Sequence, residues 1–263
     1  MLPTLLATRY FTPLREGGSL PAIVQADDGE LYVMKFSGAG QGPRVLVAEL
    51  IAGELARAAG LAVPDLVLLD LDPAFGRTEG DPEIQALLQA SVGLNLGMRF
   101  LPMAFAFNPL LEPPPAGALA SAVVWFDAFV SNVDRTARNT NMLLWRRDLW
   151  LIDHGAALFF HYAADWLTTY ERRSQSAFPQ IRDHVLLRWA DDLTGADAAM
   201  RARLTPDVIA AAVAQVPDVW LHDPATNATP AAQRAVYTAY LTQRLAASSV
   251  FVEEALRARA ARV

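Results

Sequence analysis

The chain contains no cysteine, which excludes disulfide scaffolds, thiolate metal sites and cysteine nucleophiles together. It also lacks an apolar run of the roughly 18 to 20 residues that a membrane-spanning helix needs. Its start, Met1 to Arg9, has no cationic region followed by a long hydrophobic stretch. The expectation is a soluble, unprocessed, cytoplasmic protein without a membrane partner. Positive charge is scarce as well: 22 Lys and Arg stand against 28 Asp and Glu, a formal net charge of −6. A broad basic surface is therefore not expected, and neither is direct nucleic-acid binding, because neutralising phosphates needs clustered cations. Lysine itself is nearly missing, since Lys35 stands alone beside 21 arginines. Arginine is a planar fork and lysine a compact ammonium on a flexible stem. A lone lysine in an arginine-biased chain thus marks a position suited to one point charge among phosphate oxygens.

What the chain does have is apolar mass. At 53% hydrophobic and 19% charged over 263 residues, it can bury a real core in one large domain or two small ones. Ala22–Ala26 and Leu31–Phe36 flank the turn Asp27-Asp28-Gly29-Glu30, which predicts a β-hairpin with Lys35 late on its second strand. Gly17 and Gly18 precede the hairpin, and Gly38, Gly40 and Gly42 follow it, so five of the 15 glycines border one hairpin. Such glycines let backbone N–H groups turn toward an anion. From Val45 to Ala59 the apolar spacing becomes helical, with Gly60 as a stop and Glu49 and Glu54 on the helix. Val63–Leu71 and Gly97–Leu101 read as further strands, with a polar stretch from Asp72 to about Pro82 between them.

Pro109 and Pro113 to Pro115 mark the clearest boundary. It divides a strand-rich part, residues 1–108, from a mainly helical part, 109–263. In the second part Ala116–Val130 reads as an apolar helix. Thr205-Pro206-Asp207 opens another, and Thr229-Pro230 opens a long one toward Arg257, each with a cap followed by proline.

One polar segment interrupts the apolar pattern directly after the helix ending at Val130. It holds Asn132, Asp134, Asn139 and Asn141, which include three of the six asparagines, and it leads into the short apolar stretch Leu149–Ile152 that ends in Asp153-His154-Gly155. Phosphoryl transfer needs a carboxylate to take or orient the attacking hydroxyl. It also needs an amide oxygen and a second carboxylate to hold Mg²⁺ against the nucleotide phosphates. The order along the chain is what counts: glycine-rich turn, strand lysine, helix glutamate, proline boundary, Asp-x-x-x-x-Asn, strand-Asp-x-Gly.

Asn132-Val133-Asp134-Arg135-Thr136-Ala137-Arg138-Asn139 and Ile152-Asp153-His154-Gly155 resemble the catalytic loop and metal-binding strand end of the HipA-like kinases, in the protein-kinase-like superfamily. Gly17-Gly18-Ser19-Leu20-Pro21 is similar to that family's phosphate loop. Glu49 through Gly60-Leu61-Ala62-Val63-Pro64 is similar to its first large helix and the exit from it. The likeness covers roughly residues 10 to 160. It implies an α+β, two-lobed protein-kinase-like fold with a strand-rich N-lobe and a mainly helical C-lobe. It further implies an ATP- and Mg²⁺-dependent phosphotransferase acting on a Ser or Thr hydroxyl of a protein. Asp134 takes the place of the catalytic base, and Asn139 and Asp153 those of the Mg²⁺ ligands. Lys35 corresponds to the lysine on the α- and β-phosphates and Glu49 to its ion-pair partner, with Glu54 the rival; Gly17, Gly18 and Ser19 would line the phosphates. Ser19 also lies where HipA-like enzymes can be switched by self-phosphorylation, although an ordinary turn serine is the favoured reading. A lipid or small-molecule kinase, or a nucleotide-binding pseudokinase, would share these residues.

Two departures stand out: Thr136 where typical HipA proteins have His, and His154 where protein kinases have Phe. The chain also begins almost at the phosphate loop, without the additional N-terminal subdomain of HipA. That weakens any expectation of a toxin role. His154 is expected to be hydrogen-bonded to backbone, and Asn132 to brace the loop.

Overall fold

Alternating side chains around the Asp27–Glu30 turn build the expected hairpin, β2 (Ala22–Ala26) and β3 (Leu31–Lys35), in a computed structural model that describes residues 1–14, 20–40, 42–76, 80–110, 112–222 and 227–261. A longer strand, β1 (Thr4–Pro13), precedes it, and β4 (Leu66–Leu71) and β5 (Gly93–Arg99) complete the sheet. The order is β1-β2-β3-β5-β4, and the parallel pairing of Thr4–Leu6 with Leu68–Asp70 closes it into a barrel. The strand-rich N-terminal region is therefore a closed barrel rather than an open sheet. Its interior is filled by Val24, Met34, Leu69 and Leu71, and it is covered at one side by Ile84 and Leu88.

Those last two side chains belong to α2 (Pro82–Ala90), which starts where the sequence suggested only a polar connection. Asp81 caps it by accepting from the Glu83 N–H at 2.9 Å, and Pro82 fixes the first turn. Between β3 and β4 runs α1 (Pro43–Ala58), whose buried residues from Leu46 to Ala56 join a core shared with the helices beyond residue 109. Apolar burial on both sides makes α1 part of each half's packing.

The chain then passes through the two-residue strand β6 (Phe105–Ala106) into α3 (Gly117–Val130). The hairpin β7 (Met142–Trp145) and β8 (Asp148–Leu151) follows, and β6, β7 and β8 form a second sheet. Beyond it come α4 (Trp166–Ser174), α5 (Leu193–Arg203), α6 (Pro206–Ala214), α7 (Pro230–Ala246) and α8 (Ser248–Ala260). Thr205 and Thr229 cap α6 and α7 through their side chains, as the sequence indicates. The long C-terminal helix is two helices, because it breaks at Ala247. Among the described residues no helix is long and apolar enough to cross a membrane.

Candidate active site

Lys35 joins three elements. Its Nζ donates to Glu49 Oε2 on α1 at 2.8 Å and to Asp153 Oδ1 beyond β8 at 2.6 Å. Lys35 sits at the end of β3, where the strand's alternation puts it on the face opposite the barrel-filling Met34 and toward α1, and both Lys35 and Glu49 are buried. Burial disfavours both charged forms, but the pairing outweighs it. Glu49 and Asp153 hold the ammonium above the usual lysine range, while Lys35 pulls the Glu49 carboxyl down to about 2. Glu49 is therefore the partner, and Glu54 is not. Glu54 Oε2 instead accepts from Gln215 Nε2 at 3.1 Å, on the side of the helical half.

Asp153 is reached differently from the expectation that it closes a strand. β8 ends at Leu151, and Asp153 lies beyond it in left-handed backbone, φ 54°. Gly155 then lets the chain pass α1 closely. A Cβ there would lie 2.6 Å from Val45 Cγ1 and 3.5 Å from both Asp153 Oδ1 and Glu49 Oε2. His154 is fully buried, with Nδ1 3.9 Å from Glu49 Oε1 and its ring edge-on to Phe126. Among the described residues neither of its ring nitrogens has a hydrogen-bond partner, in place of the backbone-satisfied histidine expected.

The second group is the loop after α3. Asp134 Oδ2 accepts from Asn139 Nδ2 at 2.6 Å and from Asn141 Nδ2 at 3.3 Å. Asn132 braces the loop as expected, its Oδ1 accepting the Asp134 N–H at 3.1 Å. Arg135 turns inward rather than toward a ligand. Its Nε donates to Asp127 Oδ2 at 2.5 Å, and its Nη1 donates to the carbonyls of Asn141 and Ile152. Ile152 N–H in turn donates to the Asn141 carbonyl at 3.0 Å. The Asp134 loop and the residue before Asp153 are thus held by one guanidinium.

Asp127 is the functional residue that sequence reasoning missed. It also accepts from Asn132 Nδ2 at 3.0 Å and lies 2.9 Å from His184 Nε2. Burial opposes its charge, yet Arg135 and His184 hold its carboxyl well below the usual carboxylate range. The signal was present: Asp127 is the one charge within the otherwise apolar run of α3.

The oxygens left over suit a hard divalent cation. Asn139 Oδ1, Asp134 Oδ1 and Asp153 Oδ2 accept no hydrogen bond from the described residues, and the Asp153 side chain is 48% exposed. Charge points the same way. Glu49 and Asp153 share the one Lys35, Asp134 has no cationic partner among the described residues, and Arg135 is matched by Asp127. Oxygen-only donors with surplus negative charge fit Mg²⁺ shared with phosphate. Among the described residues no group of three or more His, Cys, Asp or Glu could hold a metal on its own. Gly17, Gly18 and Ser19 lie outside the described residues.

A strand-rich barrel carrying a lysine–glutamate pair, followed by a helical part that supplies an aspartate–asparagine loop and an aspartate just beyond a strand, defines a kinase-type protein. The chain belongs to the HipA-like kinase family, whose sequence profile matches residues 8–251. Its fold is similar to the crystal structure of the Helicobacter pylori proinflammatory kinase CtkA, with a TM-score of 0.56 at 11% identity. That likeness covers 100% of this chain and 99% of that one. No curated protein matches it in sequence.

Proposed function

We propose that this kinase transfers the γ-phosphoryl group of ATP, with Mg²⁺, to a Ser or Thr hydroxyl of another protein. The observation that carries the reading is the Lys35 bridge, which ties β3, α1 and the end of the β7–β8 hairpin into one polar centre. In the proposal the two lobes meet near residues 108 and 109. Lys35, oriented by Glu49, presents its ammonium to the α- and β-phosphates, and the family resemblance assigns Gly17, Gly18 and Ser19 to the same phosphates. Mg²⁺ bound through Asn139 Oδ1 and Asp153 Oδ2 would neutralise phosphate charge.

Asp134 accepts the proton of the attacking hydroxyl as its oxygen bonds to the γ-phosphorus. The bond from that phosphorus to the β,γ-bridging oxygen breaks, and ADP leaves. The protein acceptor is supported by the family likeness; a lipid or a small molecule could use the same residues. ATP turnover with Mg²⁺, compared between wild type and Asp134→Ala and Asp153→Ala, tests the reading. Loss of activity by about a hundredfold or more in each variant supports it, and wild-type turnover no greater than that of the variants rejects it.

A further inference from the structure

Arg244 on α7 is completely buried, and no carboxylate among the described residues pairs with it. Its hydrogen bonds go to main-chain carbonyls. Nε donates to Phe129 at 2.8 Å and Ala128 at 3.2 Å, Nη2 to Ala128 at 2.7 Å, and Nη1 to Ser174 at 3.1 Å and Ser176 at 2.8 Å. Ala128 and Phe129 lie in the last turn of α3, where carbonyls lack intrahelical partners and a cation is favoured. One turn earlier on α7, Tyr240 stacks on Phe160 at 3.8 Å between ring centroids, and its hydroxyl lies 2.9 Å from Ser131 Oγ. Ser131 ends α3 in left-handed backbone and opens the loop to Asp134.

We infer that Tyr240 and Arg244 are positioning residues for the phosphoryl-transfer loop. Resting on the function proposed above, the inference assigns to α7 the task of fixing the end of α3, and through it the place of Asp134. A buried cation faced by carbonyl dipoles and by the Phe251 ring, whose centroid lies 4.9 Å from the guanidinium carbon, and by no carboxylate among the described residues, is costly to retain for packing alone. An apolar residue would fill the same space without that cost. The planar fork matches two helix ends at once, which an ammonium cannot do.

The test uses Tyr240→Phe, Ser131→Ala and their double variant, which keep the packed ring, together with Arg244→Lys. We expect Tyr240→Phe to lower kcat about three- to tenfold with the KM for ATP within about twofold of wild type. The double variant should be no slower than the worse single one, because one hydrogen bond is shared. Hydrogen exchange provides a readout independent of turnover. Amides 131–134 should exchange faster in Tyr240→Phe and Arg244→Lys while those of α7 stay protected. Unchanged exchange at 131–134 in both variants overturns the inference, as does a wild-type kcat in Tyr240→Phe. A wild-type protein that does not turn over ATP overturns the proposed function instead, and the exchange measurement still decides this point.

Discussion

Val45 leans on Gly155: a methyl group at residue 155 would sit 2.6 Å from Val45 Cγ1. The contact presses α1, which carries Glu49, against the turn that carries Asp153, so the distance between two charged groups is set partly by an absent side chain. Gly155→Ala must push the helix and turn apart. The expected cost is about 1–3 kcal/mol of stability, read from denaturant midpoints, together with a raised KM for ATP. A wild-type KM would show that the contact does not set the site.

Lys35 tests the difference between two cations. Lys35→Arg keeps the charge but brings a fork into a space that holds an ammonium between Glu49 and Asp153. ATP turnover should fall by about a hundredfold or more, nearly as far as in Lys35→Met. Glu54→Gln should leave turnover close to wild type, since Glu54 pairs toward Gln215 and Arg57. If Glu54→Gln were as impaired as Glu49→Gln, the assignment of the lysine's partner would be wrong.

Asp127 is matched to Arg135 and His184 in a dry environment. Removing the carboxylate leaves the Arg135 charge buried without its counterion. Asp127→Ala should lose about 3–5 kcal/mol of stability by chemical denaturation. Loss of less than about 1 kcal/mol would mean that the loop is held by other contacts.

Acid should act through the same pairs. Glu49 is depressed to about 2 from an ordinary 4.5, so its contribution to stability is complete above about pH 4.5 and disappears as pH falls toward 2. Lys35 is raised above its ordinary 10.5, so its contribution is complete below about pH 10.5 and is lost only at higher pH. Neither group should alter stability between pH 6 and 9. Between pH 5 and 2 the stability curve of Glu49→Gln should be flatter than that of wild type, measured by urea denaturation across that range. Parallel curves would place the acid sensitivity elsewhere.

How much of this was legible follows from the range of each interaction. The β2–β3 hairpin was readable because a four-residue turn and short alternation specify it locally. β1 was not, because its partners are the next strand and, across more than 60 residues, Leu68–Asp70, and because most of its side chains are not buried. The start of α2 carried the same cap-plus-proline signal as α6 and α7 but was masked by its polar approach. The break at Ala247 has neither Gly nor Pro to announce it. In the site, residue order pointed to Lys35, Asp134, Asn139 and Asp153 as candidates, whereas helix phase hid the choice between Glu49 and Glu54. Asp127 went unread because a lone acid in an apolar helix acquires meaning only when Arg135 and His184 arrive from elsewhere in the chain.

The parallel pairing of Thr4–Leu6 with Leu68–Asp70 also bears on how the molecule is made. During synthesis the first strand leaves the ribosome well before its second neighbour exists, and because β5 lies between β3 and β4 the barrel can shut only after Arg99 is out. Until then Thr4–Leu6 offers an open edge to any passing strand, and speed of elongation through β5 governs how long that exposure lasts.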